Sequence, residues 1–487
     1  MTLAGVPVFA EQGTIGPVLR TPAPGGRIVE WTLRNPGQTR DAAPAAPQGV
    51  SFLQRDHLNA AKAGRAVGAT HAGFIGVLAP VTARLDTEAM AGAITDFVRR
   101  HEELRAFYPL YGNELQRRVV PASAVDFVPH AVDAPDGPDG GGVIEWVCRQ
   151  ASERARCEEL PGVLFMAVES EATESHSSGF TLYYVTDHAH GDAYSLMLAC
   201  GELIELYYGR ISGDAVTLPP AGTFGDHVAA ELAAVGSVTP DDERVAVWRE
   251  ALKGRDGRVP GSPLDLGLAD GDTAEHAVQL GARLLSADEA RRCDARLPGA
   301  MSSFPGLLFG ALALAERDVT GGDDHFTSTV LATRGPGHER TQGWLCNFAP
   351  VAVTTGPAMS IVEAAQAATA QLALARRAAA VPVHAALAVL SEEGVLRELD
   401  GSPQMVTFID IRRVPYGDRP ELRSAELFTA AGRTRNANMW LVRYADELRV
   451  VSQIPDNTTA RSSMTPFLDA VRTHLQEFAA CAPDGDR

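Results

Sequence analysis

A chain of 487 residues is longer than one hydrophobic core sustains, so two domains or lobes are expected. Its formal net charge of −18, with no basic patch, argues against nucleic acid or an anionic membrane surface as partner. With 45% hydrophobic and 21% charged residues it is ordinary globular material, and its longest apolar stretch, residues 304–315, is too short to span a bilayer and is broken by Pro305, Gly306 and Gly310.

The amino terminus lacks a basic region followed by an apolar core, so no secretory signal is expected. Six cysteines (Cys148, Cys157, Cys200, Cys293, Cys346, Cys481) show neither metal-ligand nor disulfide-framework spacing. A reducing cytoplasm is the expected compartment.

In chain order, residues 27–33 are predicted as a short strand and the Ala- and Pro-rich residues 35–49 as a surface connection. Gln54 opens a helical stretch, residues 71–78 read as a strand, and Asp86 caps a helix carrying Met90, Ile94, Phe97 and Val98. That helix ends at residues 99–103, and residues 104–108 are predicted as strand. Residues 133–142, full of Gly, Pro and Asp, mark a loop. A helix over 143–159 and strands over 163–169 and 180–185 follow. Leu196, Met197, Cys200, Leu203, Ile204 and Tyr207 then recur at helical spacing. Residues 211–225 have little periodicity, which places a boundary between an N-terminal lobe, residues 1–215, and a C-terminal lobe, residues 216–487.

The second half repeats the alternation. A helix over 241–252, a strand over 276–285, helices from near Ser286 and Met301, and a strand over 324–332 are predicted. A long Ala-rich helix over 361–378, alternating strands within 439–451 and a last helix from about 461 to 479 complete it. Helices and strands mixed in both halves predict two α/β lobes. No short fixed period marks a solenoid.

Between the strand over 180–185 and the next helix stands Thr186-Asp187-His188-Ala189-His190-Gly191-Asp192-Ala193-Tyr194-Ser195. Asp192 or Ser195 would cap the helix, and His188 falls at the strand's end, where loops on a rigid scaffold carry chemistry. Three chemistries can use this segment. His188, His190 and Asp192 could ligate zinc. However, Ala193 stands where metallo-β-lactamases carry a further histidine, and His227, His276, His325, His338 and His384 form no ligand-like cluster, so no metal is assigned. His188 could instead be a general base with Asp192 orienting the loop, because an imidazole of ordinary pKa, about 6.5, is mostly neutral at cytoplasmic pH and accepts a proton. In the third reading both histidines only satisfy loop hydrogen bonds. No Gly-x-Ser-x-Gly elbow is present and Ser195 is assigned to the helix start. His190 is expected to be a loop hydrogen-bonder and Trp440 a core aromatic.

Five segments bear on the choice: Ser51-Phe52-Leu53-Gln54, Arg100-His101-Glu102-Glu103-Leu104-Arg105, Asp187-His188-Ala189-His190-Gly191-Asp192-Ala193, Gly343-Trp344-Leu345-Cys346-Asn347, and Val406-Thr407-Phe408-Ile409-Asp410 with Arg412. In their order and spacing, from about residue 30 to 478, the sequence resembles the condensation-domain and polyketide-associated acyltransferase group of the chloramphenicol acetyltransferase-like (HxxxD) superfamily. The resemblance implies an α/β (α+β) fold, a pseudo-dimer of two acetyltransferase-like lobes with the catalytic loop at the floor of a tunnel between them. It implies His188 as catalytic base and Asp192 turned away from substrate in a salt bridge to an arginine, for which Arg105 and Arg100 are the candidates. Asp187, Ala193, Tyr194, Asn347 and Trp344 would contact or border the substrate. The sequence departs from the family pattern at Asp187, in place of the first histidine, and at Ala193, in place of the final glycine. The minimal His-x-x-x-Asp is kept.

The reaction implied is transfer of an acyl group from a thioester to a hydroxyl, forming an ester in natural-product or lipid biosynthesis, with no acyl-enzyme and no permanently bound cofactor. The donor would be acyl-CoA or a phosphopantetheine-linked acyl group on an acyl or peptidyl carrier protein, arriving in trans because no carrier segment follows the last helix. A small-molecule acceptor, a monomeric state and no membrane span are expected. A free-standing amide-forming condensation enzyme and a non-catalytic docking platform in a biosynthetic assembly line are the competing readings.

Overall fold

The computed structural model describes residues 19, 26–112, 114–132, 141–170, 179–269, 271–397, 402–430 and 432–480. Most of the acidic loop expected over 133–142 lies outside the described residues, as does Cys481. The other five cysteines are free.

The first half supplies β1 (Ile28–Leu33), β2 (Phe74–Val81), β3 (Ala106–Phe107), β4 (Arg118–Val119), β5 (Phe127–Val132), β6 (Val163–Ser170) and β7 (Gly179–Asp187). The second supplies β8 (Glu275–Ser286), β9 (Asp324–Ala332), β10 (Cys346–Thr354), β11 (Met405–Asp410), β12 (Glu426–Thr429), β13 (Arg433–Thr434), β14 (Asn438–Arg443) and β15 (Glu447–Pro455). A six-stranded sheet runs β12-β2-β7-β6-β1-β5 and a seven-stranded sheet runs β10-β9-β11-β14-β15-β8-β13. The first sheet is antiparallel throughout, and β12 reaches it from the second half, pairing with β2. In the second sheet β11 runs parallel to β9 and β14.

The first sheet is covered on both faces, which is why its central strands read as continuous apolar runs rather than as alternation. Along β7, Phe180, Leu182 and Tyr184 pack with the helices Thr87–Arg100 and Ala193–Ser212. Tyr183 and Val185 point the other way, towards Val143 and Val147 of the helix Gly141–Arg154. The second sheet is covered by the helices of its own lobe on one face only. On β14, Met439 and Leu441 join the core built with the helices Phe304–Thr320, Ile361–Ala378 and Thr458–Ala480. Trp440 and Val442 face a cavity on the side of the first lobe.

The apolar stretch over 304–315 is the centre of this core. A Cβ on Gly306 would lie 1.9 Å from Thr369 Oγ1, and one on Gly310 would lie 2.7 Å from the Ala364 backbone. The glycines that interrupt the stretch are therefore the seat on which the Ala-rich helix Ile361–Ala378 rests. No single helix among the described residues is long and apolar enough to cross a membrane.

Three expectations need correction. The strand predicted over 104–108 shrinks to the two residues of β3, because a 3-10 turn at Glu102–Arg105 carries Glu103 inward to buried polar partners. The connection predicted over 211–225 is shorter than expected. The preceding helix runs to Ser212 and stops at Gly213, whose φ of 80° only glycine adopts freely, and Thr223 already caps the helix Phe224–Val235. The surface connection over 35–49 contains a short helix, Pro36–Asp41, with proline in its first turn.

Candidate active site

β7 ends at Asp187, His188–His190 form one 3-10 turn, and Asp192 caps the helix Ala193–Ser212 by accepting the Ser195 N–H at 2.8 Å. Several elements fix this turn. His188 N–H donates to Gly73 O at 2.7 Å, and Gln54 Nε2 donates to Ala189 O at 2.8 Å. Ser51 and Gln54 form a capping box on the helix Phe52–Ala66, so the Ser-x-x-Gln segment starts a helix and also holds the loop. Gln54 Nε2 further reaches Tyr108 Oη at 2.7 Å and Glu103 Oε1 at 3.1 Å. Burial opposes ionisation of Glu103, but Arg117 and His190 outweigh it and hold the carboxyl below its usual range. His190 Nδ1 lies 3.1 Å from Glu103 Oε1, the hydrogen-bonding role expected of it.

His188 faces a cavity of about 460 Å³ bounded by β2 and β12 on one side and, on the other, the face of the second sheet turned to the first lobe. The Trp344 ring lies over the imidazole, with centroids 3.9 Å apart and planes tilted by 33°. Burial, and next the charge of His57, push the His188 imidazole down to about 4, so the ring is unprotonated at neutral pH. Ala193, Tyr194 and Trp344 line the same cavity, joined by Phe348, Met405, Val442 and Val451.

Asp192 is tied across the two lobes by an arginine other than the two expected. Arg334, in the connection between β9 and β10, donates to Asp192 Oδ1 at 2.8 Å, and Leu345 N–H donates to Oδ2 at 3.0 Å. Arg100 instead ends its helix beside Glu202, 3.1 Å away, where His101 also lies at 2.7 Å. Arg105 donates to Val120 O. Arg334 also reaches Ser195 Oγ at 2.7 Å, and Ser195 Oγ donates to Gly343 O at 2.7 Å. The seryl hydroxyl thus braces the helix start against the second lobe.

Two further expected residues lie elsewhere. Asp187 is fully buried, with His57 Nε2 at 2.7 Å, Cys157 N at 2.8 Å and His71 Nε2 at 3.1 Å, and it does not line the cavity. Burial opposes its ionisation, yet His57 and His71 outweigh that and hold its carboxyl well below the usual range. Asn347 is turned inward. Its Nδ2 donates to Ala379 O at 3.0 Å, and its Oδ1 accepts from Phe348 N at 2.9 Å and Val383 N at 3.1 Å, which ties β10 to the start of the helix Val383–Glu392. Trp440 packs against the core of the first lobe, as expected, and also lines the cavity, because its position on β14 alternates away from Met439 and Leu441. Arg334, His57 and His71 were not marked by any local spacing. Among the described residues, no group of three or more His, Cys, Asp or Glu side chains could hold a metal ion.

No protein-family model matches the chain. It is 24% identical over 469 residues, 94% of its length and 87% of the relative's, to 2'-acyl-2-O-sulfo-trehalose (hydroxy)phthioceranyltransferase PapA1 of Mycobacterium tuberculosis. It is likewise 24% identical over 471 residues, 93% of its length and 94% of the relative's, to trehalose-2-sulfate acyltransferase PapA2 of the same species. Among solved structures, PapA2 acyl transferase superposes with a TM-score of 0.81 at 23% identity, covering 95% of this chain and 98% of that one. The condensation domain of the monacolin K polyketide synthase MokA gives a TM-score of 0.67 at 16% identity, covering 89% and 98%. These likenesses define the class: a two-lobed chloramphenicol acetyltransferase-like fold presenting an HxxxD loop. Within that class, the chain is similar over nearly its whole length to the PapA acyltransferases of mycobacteria and, in fold, to condensation domains.

Proposed function

We propose that the enzyme transfers an acyl group from a thioester to a hydroxyl of a small-molecule acceptor, with His188 as general base. The observation that carries this reading is the place of the His188 ring, on a loop fixed from both lobes and turned to an apolar-lined cavity, where burial lowers its proton affinity. The acceptor hydroxyl gives its proton to His188 as its oxygen attacks the thioester carbonyl. The tetrahedral oxyanion then collapses, the carbon–sulfur bond breaks, and the departing thiolate takes the proton back from the imidazolium. Ester and thiol leave, and the ring is again neutral.

A ring of low proton affinity accepts a proton in this cycle only while negative charge forms on the oxyanion beside it, which couples proton transfer to bond formation. The N–H groups of Ala193 and Tyr194, ahead of the Ser195 N–H that Asp192 caps, open the helix Ala193–Ser212 without an intrahelical acceptor, and both residues line the cavity. They are the donors, with the positive helix end, that we assign to the oxyanion. Asp192 takes no part in proton transfer, since Arg334, Ser195 and Leu345 occupy its oxygens. A hydroxyl acceptor is favoured because the names of PapA1 and PapA2 place acyl transfer on sulfated trehalose. The donor is acyl-CoA or an acyl group on a carrier protein.

The test supplies each donor type with matched alcohol and amine acceptors and reads products by mass spectrometry. Preferential ester formation from a thioester supports the proposal. Preferential amide formation, or no turnover of any thioester, overturns it.

A further inference from the structure

Where the family pattern carries its first histidine this chain has Asp187, and two histidines from other elements have gathered round it. Asp187 Oδ1 accepts from Ala189 N at 2.8 Å and meets His57 Nε2 at 2.7 Å, while Oδ2 accepts from Cys157 N at 2.8 Å and meets His71 Nε2 at 3.1 Å. The assembly depends on Gly73, where a Cβ would come within 2.5 Å of the His57 ring and 3.1 Å of the His71 ring. The His57 ring lies 6.4 Å from the His188 ring and 5.9 Å from that of Trp344, which covers His188. His57 does not line the His188 cavity. It lines, with His71 and Gly73, a second cavity of about 350 Å³ behind the loop. His57 therefore has an outlet of its own and no contact with the reacting atoms.

We infer that His57 is a positioning residue for His188: clamped by the Asp187 carboxylate 6.4 Å from the ring of the base, it is the competing proton site that opposes a second proton on His188. This rests on His188 being the base. Two imidazoles whose rings lie 6.4 Å apart repel each other if both take up a proton, and the one that meets a buried carboxylate is the favoured site for the first. The other charges facing His188 are Asp187 and Asp192 from its own turn, with Arg334 from the second lobe bound to Asp192, and His71 stands beyond His57. Burial and the His57 charge act in the same direction on His188, and the two carboxylates oppose them.

The test is His57→Gln, which keeps a side-chain N–H for Asp187 and removes the charge. The His188 ring is titrated by NMR in histidine-labelled enzyme, and the acid limb of kcat/KM is measured in parallel. At 6.4 Å the lost repulsion should raise the His188 midpoint by about one to two pH units, taking an effective dielectric of about 20, with the acid limb moving equally. A His188 midpoint that stays in place in the variant overturns the inference, because a merely structural hydrogen bond is retained by glutamine. A midpoint that moves while the acid limb does not supports the charge coupling and removes His188 as the base. Should the variant not fold, the wild-type titration of both rings decides: a His188 step that shifts the His57 resonances, and lies below the His57 step, supports the inference, and a His188 step that leaves His57 unperturbed, or precedes the His57 step, contradicts it.

Discussion

His188 is the one titratable side chain whose protonation state the proposed chemistry requires to be defined. Because its pKa is depressed, the neutral form persists as pH falls and is lost only through about 4. The kcat/KM profile should accordingly stay level between pH 7 and 5 and drop below that, whereas an ordinary imidazole would halve it near 6.5. A pH–rate series on the wild-type enzyme checks this. Arg334 matters for a different reason. Its side chain is 4% exposed and that of Asp192 11%. Arg334→Ala should lower stability by about 3–5 kcal/mol in denaturant titration, because it leaves a nearly buried carboxylate unpaired. Arg105→Ala should leave the Asp192 contacts intact. His188 and Asp192 were legible in the sequence since both belong to one short turn, and so was the cap at Asp192. Arg334 was not, because 142 residues separate it from its partner. The clustering of His57 about Asp187, 130 residues apart, was hidden for the same reason.

Thr87–Arg100 was readable from its large apolar residues at helical spacing and its Asp86 cap, and Ile361–Ala378 from its long run of alanine and other strong helix formers. The helix Phe224–Val235 was missed, because only Phe224, Gly225 and Val228 are buried on it, too few to mark an apolar period. β12 escaped as well, being four residues long with its partner β2 in the other half of the chain. Composition could show that residues 304–315 were unsuited to a membrane, but not that their glycines face another helix. Gly310→Val should lower the denaturant midpoint by an amount equivalent to about 1–3 kcal/mol, since the added atoms meet the Ala364 backbone rather than a movable side chain. The helix Phe52–Ala66 joins stability to function. Gln54→Ala would strip the Ala189 carbonyl and the Glu103–Tyr108 pair of a buried donor, costing about 1–3 kcal/mol and loosening the turn that carries His188.

At the scale of the molecule, the helices of the second lobe leave one sheet face to the first lobe, which packs on part of it and brings the HxxxD loop to the rest. The cavity belongs to neither lobe alone: His188, Ala193 and Tyr194 come from one and Trp344, Met405 and Trp440 from the other. Trp440 stands in the cavity-facing row of the sheet, paired across strands with Thr407 and Val451. Trp440→Ala should therefore shift the kcat/KM preference towards longer acyl donors by about tenfold, read by competition between thioesters of different length. Two α/β lobes were predictable from the alternation of elements. The cavity between them was not, because its lining alternates with core positions along strands from distant parts of the chain.

The central claim is that His188 moves the proton in acyl transfer. The most direct measurement is single-turnover ester formation by wild-type enzyme and by His188→Ala, each checked for an unchanged thermal midpoint. Loss of the chemical step by about 10²–10⁴-fold in a folded variant is predicted. Ester formation at the wild-type rate in the variant would contradict the account.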